Sequence, residues 1–124
     1  FVHKPADPVL HRVVAGADII VSPSRFEPCG QFQQYGQRYG AVPVGRATGG
    51  LVDTIVDCDA ALDTGSGFLF DEPSPASLAG ALQRAFAAFA SPRWPSLRRR
   101  IMRLDVGWDR SAYRYEQLYR SITA

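Results

Sequence analysis

Three observations predict an α/β fold with a parallel sheet and flanking helices. Short apolar, β-branched runs alternate with longer runs of helical period. The short runs lack polar alternation, as expected of strands buried on both faces. Gly, Pro and Ser punctuate the joints.

Each element follows in order. Residues 9–15 read as a short helix stopped by Gly16, and Asp18 to Val21 as a buried strand. A loop, Ser22-Pro23-Ser24-Arg25-Phe26-Glu27-Pro28-Cys29-Gly30, leads into a helix from Gln31 to Tyr39 that Gly40 ends. Ala41 to Val44 is the next strand. Thr48-Gly49-Gly50 turns into a short helix over 51–56, and residues 57–66 are a polar loop. Gly67 to Phe70 is a third strand. Ser74 suits a helix cap and Pro75 the first helical position. That helix runs to about Phe89, with Leu78, Leu82, Ala85, Phe86 and Phe89 as its apolar face. Helices over 96–104 and 109–122 close the chain, the last with a stripe of Tyr115, Leu118, Tyr119 and Ile122.

The 124 residues make one small domain, and 46% are hydrophobic, enough for a core. A net charge of +2 argues against a dedicated nucleic-acid binder. The basic run Arg98-Arg99-Arg100 reads as a solvated helix face. Cys29 and Cys58 have no metal-ligand or disulfide spacing, so a reducing cytoplasm is the expected compartment. No apolar run is long enough to span a membrane. Asp18, Asp53, Asp57 and Asp59 follow no ligand spacing, and no metal or cofactor is expected. Neither His3 nor His11 has a catalytic context; His11 reads as an interface residue.

Glu27 is the candidate catalytic residue. It lies past the carboxyl end of a strand and just before a helix N-terminus, where ligands bind in open α/β sheets. The helix end offers free N–H groups and positive potential, which suit an anionic sugar donor. A strand-to-helix turn carrying a dipole-stabilising Glu would share this grammar. Thr48, Gly49 and Gly50 form a second such turn, able to approach a phosphate or sugar, or simply to cap a helix.

The flanking residues favour the first reading. Ser24-Arg25-Phe26-Glu27-Pro28-Cys29-Gly30 resembles the signature of bacterial glycogen synthases and plant starch synthases. Residues 38–44, Arg-Tyr-Gly-Ala-Val-Pro-Val, resemble that family's R-Y-G-x-x-P-V strand. Residues 46–54, Arg-Ala-Thr-Gly-Gly-Leu-Val-Asp-Thr, resemble its R-x-T-G-G-L-x-D-T loop. Thr64-Gly65-Ser66-Gly67-Phe68 departs slightly from T-G-F. Asp105 to Ala112 is similar to D-x-S-W-x-x-S-A, with Gly107 in place of the usual Ser.

The resemblance implies a Rossmann-like sheet and a place in the later half of the C-terminal domain of a two-domain GT-B glycosyltransferase. It implies retaining transfer of glucose from ADP-glucose to the nonreducing end of an α-1,4-glucan. It assigns Glu27 to catalysis and Cys29, Gly30, Gln31, Tyr35, Thr48, Gly49 and Gly50 to donor binding. Related transferases carry a second Glu where Tyr35 stands, which favours ADP-glucose over UDP- or GDP-sugars. A UDP- or GDP-sugar transferase and a non-catalytic nucleotide- or glucan-binding module are the competing expectations. On the same basis residues 1–124 are expected to be a partial domain closed by helices over 75–124. The family's phosphate-clamping Arg and Lys are expected upstream of Phe1, Lys4 lies in no matching motif, and the segment alone is expected to be nearly inactive. The strand at 18–21 would present a bare edge, so pairing with a missing N-terminal portion or with another chain is expected.

One departure stands out. Family members place Leu, Leu and Leu or Met at the positions of Gln31, Gln34 and Gln37. Their i, i+3, i+6 spacing is expected to put all three amides on one face.

Overall fold

A computed structural model describes residues 6–123. His3 and Lys4 lie outside the described residues. The order is α1 (Asp7–Ala15), β1 (Ile19–Ser22), α2 (Phe32–Tyr39), β2 (Val42–Arg46), α3 (Gly50–Thr54), β3 (Phe68–Phe70), α4 (Pro75–Phe89), α5 (Trp94–Met102) and α6 (Trp108–Thr123). The predicted α/β parallel fold is what forms. The strands make one parallel sheet in the order β1-β2-β3, with Ile19 beside Val42 and Val44 beside Phe68.

Helices cover both faces of the sheet. On one, Val42, Val44, Phe68 and Phe70 bury against Ala81, Ala85 and Ala88 of α4, with Leu97 and Ile101 of α5 completing the cluster. On the other, α2 and α3 pack closely. A side chain at Gly36 would run into Ile20, and one at Gly45 would press on Ile55 and Leu51. Ser74 caps α4 as expected, its hydroxyl accepting from the Ser77 N–H at 3.2 Å. Gly40 ends α2 in the left-handed region at φ 83°.

Four expectations need correction. The sheet side of α4 runs through the alanines, with Leu78 and Leu82 beside them, and Phe86 and Phe89 are exposed. Small side chains let the helix sit close to the sheet. Phe89 instead makes a T-shaped contact with Trp94 at 5.3 Å. Second, the predicted stripe of α6 is not buried, because α6 buries no residue among those described.

Third, Arg98 and Arg100 are not a solvated face. Arg98 donates to the Gly40 carbonyl at 2.9 Å and pairs with Asp18. Arg100 donates to the carbonyls of Gly65, Leu62 and Thr64 at 2.9–3.0 Å. The guanidinium fork ties down the 57–66 loop, where Leu62 holds a positive φ of 58°. Arg99, by contrast, reaches only Ser96 on its own helix.

Fourth, the three glutamines do not share an environment. Gln31 is exposed, Gln34 half-buried and Gln37 buried, and the second fully buried amide is Gln33. The buried stripe of α2 runs through 33, 36 and 37, an i, i+3, i+4 set, which turns residue 31 outward.

Candidate functional site

The loop between β1 and α2 leaves the carboxyl end of the sheet beside the turn between β2 and α3. These two turns form one surface. The Gly50 N–H donates to the Glu27 carbonyl at 2.9 Å. A methyl group on Gly49 would overlap that same carbonyl, and one on Gly50 would overlap the carbonyl of Cys29. The two glycines therefore permit a backbone-to-backbone approach that no side chain would allow.

Glu27 is half-buried. Its Oε2 accepts from the Ser24 hydroxyl at 2.8 Å and its Oε1 from the Gly30 N–H at 3.3 Å. Both carboxylate oxygens are thus oriented by their own loop, and the geometry depends on Gly30 turning back at φ 64°. The Gly30 N–H, expected to face a donor, is spent on this contact. Among the described residues the N–H groups of Cys29 and Gln31 donate to no protein acceptor. Gln31 occupies the cap position of α2 with no side-chain cap bond, so the first turn of that helix keeps its donors free.

The other expected donor residues lie around this surface. Cys29 is exposed as a free thiol. Thr48 is half-buried, and its carbonyl accepts from Leu51; the helix cap is Gly49, with no side-chain bond. Tyr35, one turn further along α2, is 40% exposed, and its ring lies 5.6 Å from that of His11 on α1. His11 Nδ1 is 3.0 Å from the Tyr39 hydroxyl, so His11 joins α1 to α2 as an interface residue.

Two residues of this surface are missed by sequence reasoning. Ser24 is one, three positions before Glu27 and within hydroxyl reach of its carboxylate. Arg46 is the other. It ends β2, and its guanidinium donates to the carbonyls of Ser24, Arg25 and Asp71 at 2.8, 2.5 and 3.3 Å. Its place in the R-x-T-G-G run was the available signal.

Among the described residues no three His, Cys, Asp or Glu side chains group closely enough to hold a metal ion. Among the described residues no helix is long and apolar enough to cross a membrane. A cleft of about 570 Å³ lies away from Glu27, between Gln37, Thr54 and the start of α6.

No protein-family model matches the chain. The curated glycogen synthase of Yersinia pestis (strain Pestoides F) is 47% identical over 116 residues, which is 90% of this chain and 24% of that protein. The glycogen synthase of Yersinia enterocolitica is 48% identical over the same length. Among solved structures, the catalytic domain of starch synthase IV from Arabidopsis thaliana, bound to ADP and acarbose, superposes with a TM-score of 0.85 at 36% identity. It matches 98% of this chain and 26% of that one. Sucrose-phosphate synthase from Thermosynechococcus elongatus superposes with a TM-score of 0.67 at 28% identity, covering 99% of this chain and 30% of that one. The chain spans about a quarter of the length of the curated relatives it matches. Over that span, with its parallel sheet and paired turns, it is similar to the glycogen and starch synthases and to the matching part of solved GT-B glycosyltransferases.

Proposed function

We propose that this segment is the nucleotide-sugar-binding part of a retaining glucosyltransferase that moves glucose from ADP-glucose to the nonreducing end of an α-1,4-glucan. One observation carries the reading. The Glu27 loop and the Gly49–Gly50 turn are fused into a single surface at the carboxyl end of β1 and β2. The ADP and acarbose bound to the starch synthase IV domain support a nucleotide and a glucan as the ligand classes.

The chemistry follows from the parts. Free N–H groups of Cys29 and Gln31, at the positive end of α2, attract sugar or diphosphate oxygens. Glu27, with its carboxylate held in one orientation, accepts hydrogen bonds from glucose hydroxyls and stabilises the positive charge of an oxocarbenium-like sugar. Retaining hydrolases use two carboxyl groups about 5 Å apart. Among the described residues the Glu27 carboxylate is hydrogen-bonded by the Ser24 hydroxyl and the Gly30 N–H, neither of them a second carboxyl group. A front-side reaction fits this arrangement. The leaving phosphate takes the acceptor hydroxyl proton, and the new glycosidic bond forms on the face from which the nucleotide departs.

Residues 1–124 then form the later part of a C-terminal domain, closed by the helices over 75–124. A cytoplasmic enzyme suits the two free thiols. The open edge of β1 and the uncovered face of α6 call for a further part of the protein or a second copy. Sedimentation of the isolated segment at high concentration is expected to show association; a monodisperse monomer would count against such a surface.

The decisive experiment replaces Glu27 by Ala in the longest natural chain that carries this segment. Glucan elongation from ADP-glucose is expected to fall by about 10²–10³-fold. Undiminished elongation refutes the assignment. Faster turnover with UDP- or GDP-glucose would move the donor assignment, and ADP binding without turnover would point to a binding module.

A further inference from the structure

Arg46 reaches across the carboxyl ends of all three strands. It terminates β2, takes the carbonyls of Ser24 and Arg25 in the loop after β1, and takes the carbonyl of Asp71 just after β3. The Ala47 N–H adds a bond to the Phe70 carbonyl at 2.8 Å beside it. Among the described residues Arg46 pairs with no carboxylate. Its planar fork is spent on backbone oxygens, a use that a lysine's point charge reproduces poorly.

Ser24 is gripped twice. Its carbonyl accepts from Arg46 Nε at 2.8 Å, and its hydroxyl donates to Glu27 Oε2 at 2.8 Å. The path from guanidinium to carboxylate is therefore Arg46, the Ser24 backbone, the Ser24 hydroxyl and Glu27. A second hold, from the Gly50 N–H, fixes the Glu27 backbone but leaves its side chain free to turn. Among the described residues, the Ser24 route and the longer 3.3 Å bond from Gly30 set the direction of the carboxylate.

We propose that Arg46 is a positioning residue for Glu27: it holds the Ser24 backbone so that the Ser24 hydroxyl aims the carboxylate. The proposal rests on the reading of Glu27 as the reacting-site carboxylate. Arg46 itself touches no substrate. Its loss lets the 22–30 loop drift, and a displacement of about 1 Å at a reacting group can cost on the order of 100-fold in rate.

The test uses the longest natural chain that carries the segment, with ADP-glucose and a maltooligosaccharide acceptor. Arg46→Gln is expected to lower kcat about 10–100-fold while the donor KM shifts less than about threefold. Arg46→Lys should fall between wild type and Arg46→Gln. Millimolar guanidinium should restore part of the lost kcat in Arg46→Gln. Ser24→Ala, which leaves the Arg46 contacts intact, should reproduce much of the kcat loss. In a Glu27→Gln background, Arg46→Gln should cost almost nothing more, because both changes remove one function.

A raised donor KM at constant kcat would overturn the proposal, since Arg46 would then be a donor ligand. Full additivity with Glu27→Gln would overturn it too. If Glu27→Gln alone leaves kcat unchanged, the reading of Glu27 has failed, and the anchoring role is judged separately by amide exchange over residues 24–30. Faster exchange there in Arg46→Gln supports the anchor; unchanged exchange removes it.

Discussion

The N–H of Gly50 donates to the backbone oxygen of Glu27 at 2.9 Å, so the turn after β2 grips the loop after β1 at the residue bearing the carboxylate. Residues 23 positions apart in sequence thereby share one backbone contact. Its closeness depends on the absence of side chains at 49 and 50.

Gly49→Ala tests that dependence. Gly49 sits at φ 49° and ψ −135°, which side-chain-bearing residues rarely adopt, and an added methyl would overlap the Glu27 carbonyl. The strain costs about 1–3 kcal/mol, and relief comes only by pushing the two turns apart. Thermal unfolding should show the loss, and elongation activity should fall more steeply than stability. Wild-type activity in a Gly49→Ala protein would mean that the two turns need not touch.

The buried amides of α2 yield a prediction of rank. Gln37 makes one long bond, Nε2 to the Ser66 carbonyl at 3.3 Å, and Gln33 makes a short one, 2.7 Å to the Thr54 hydroxyl. The Oε1 atoms of both are buried without a partner. An unpartnered buried polar group costs about 1–3 kcal/mol. Gln37→Leu should therefore stabilise the protein by about 1 kcal/mol, and Gln33→Leu should gain less because it forfeits the better bond. Urea titration of the two variants checks the order; a Gln37→Leu protein that unfolds more easily contradicts it.

Cys58 supplies a pH dependence. Burial pushes its thiol up from the ordinary value of 9.0, outweighing the Gly67 backbone hydrogen bond and the nearby Arg100 charge, which both pull it down. The native state therefore keeps its proton to higher pH than the unfolded chain does. This contribution is intact below the unfolded thiol value and is lost as pH rises through the folded one. Denaturation free energies should decline on the alkaline side more in wild type than in Cys58→Ala. Parallel alkaline limbs in the two proteins would rule this out. A thiol reagent at neutral pH should modify exposed Cys29 first.

Local sequence was enough to read the order of strands and helices, the Ser74 cap and the Gly40 stop, because each depends on a few neighbouring residues. The Glu27 loop was legible for the same reason, since its signature is contiguous. The face of α4 that meets the sheet was legible at Leu78, Leu82 and Ala85 but not at Phe86 and Phe89, which are exposed. Its alanines and phenylalanines both recur at helical spacing, and the choice between them depends on how near the sheet lies. The burial of Gln33 was also hidden, because rotation of α2 about its axis is set by Ile20 and Thr54 from other elements.

The amino-acid order by itself determined a parallel α/β unit and a carboxylate at a strand-to-helix turn, since both are products of short-range periodicity and turn chemistry. Tertiary structure alone decided what holds that carboxylate. Arg46 reaches Ser24 across 22 residues, Gly50 reaches Glu27, and Arg100 ties down a loop 35–38 residues away. Guanidinium and amide donors find carbonyl oxygens by proximity in space, and that proximity exists only once the strands have paired.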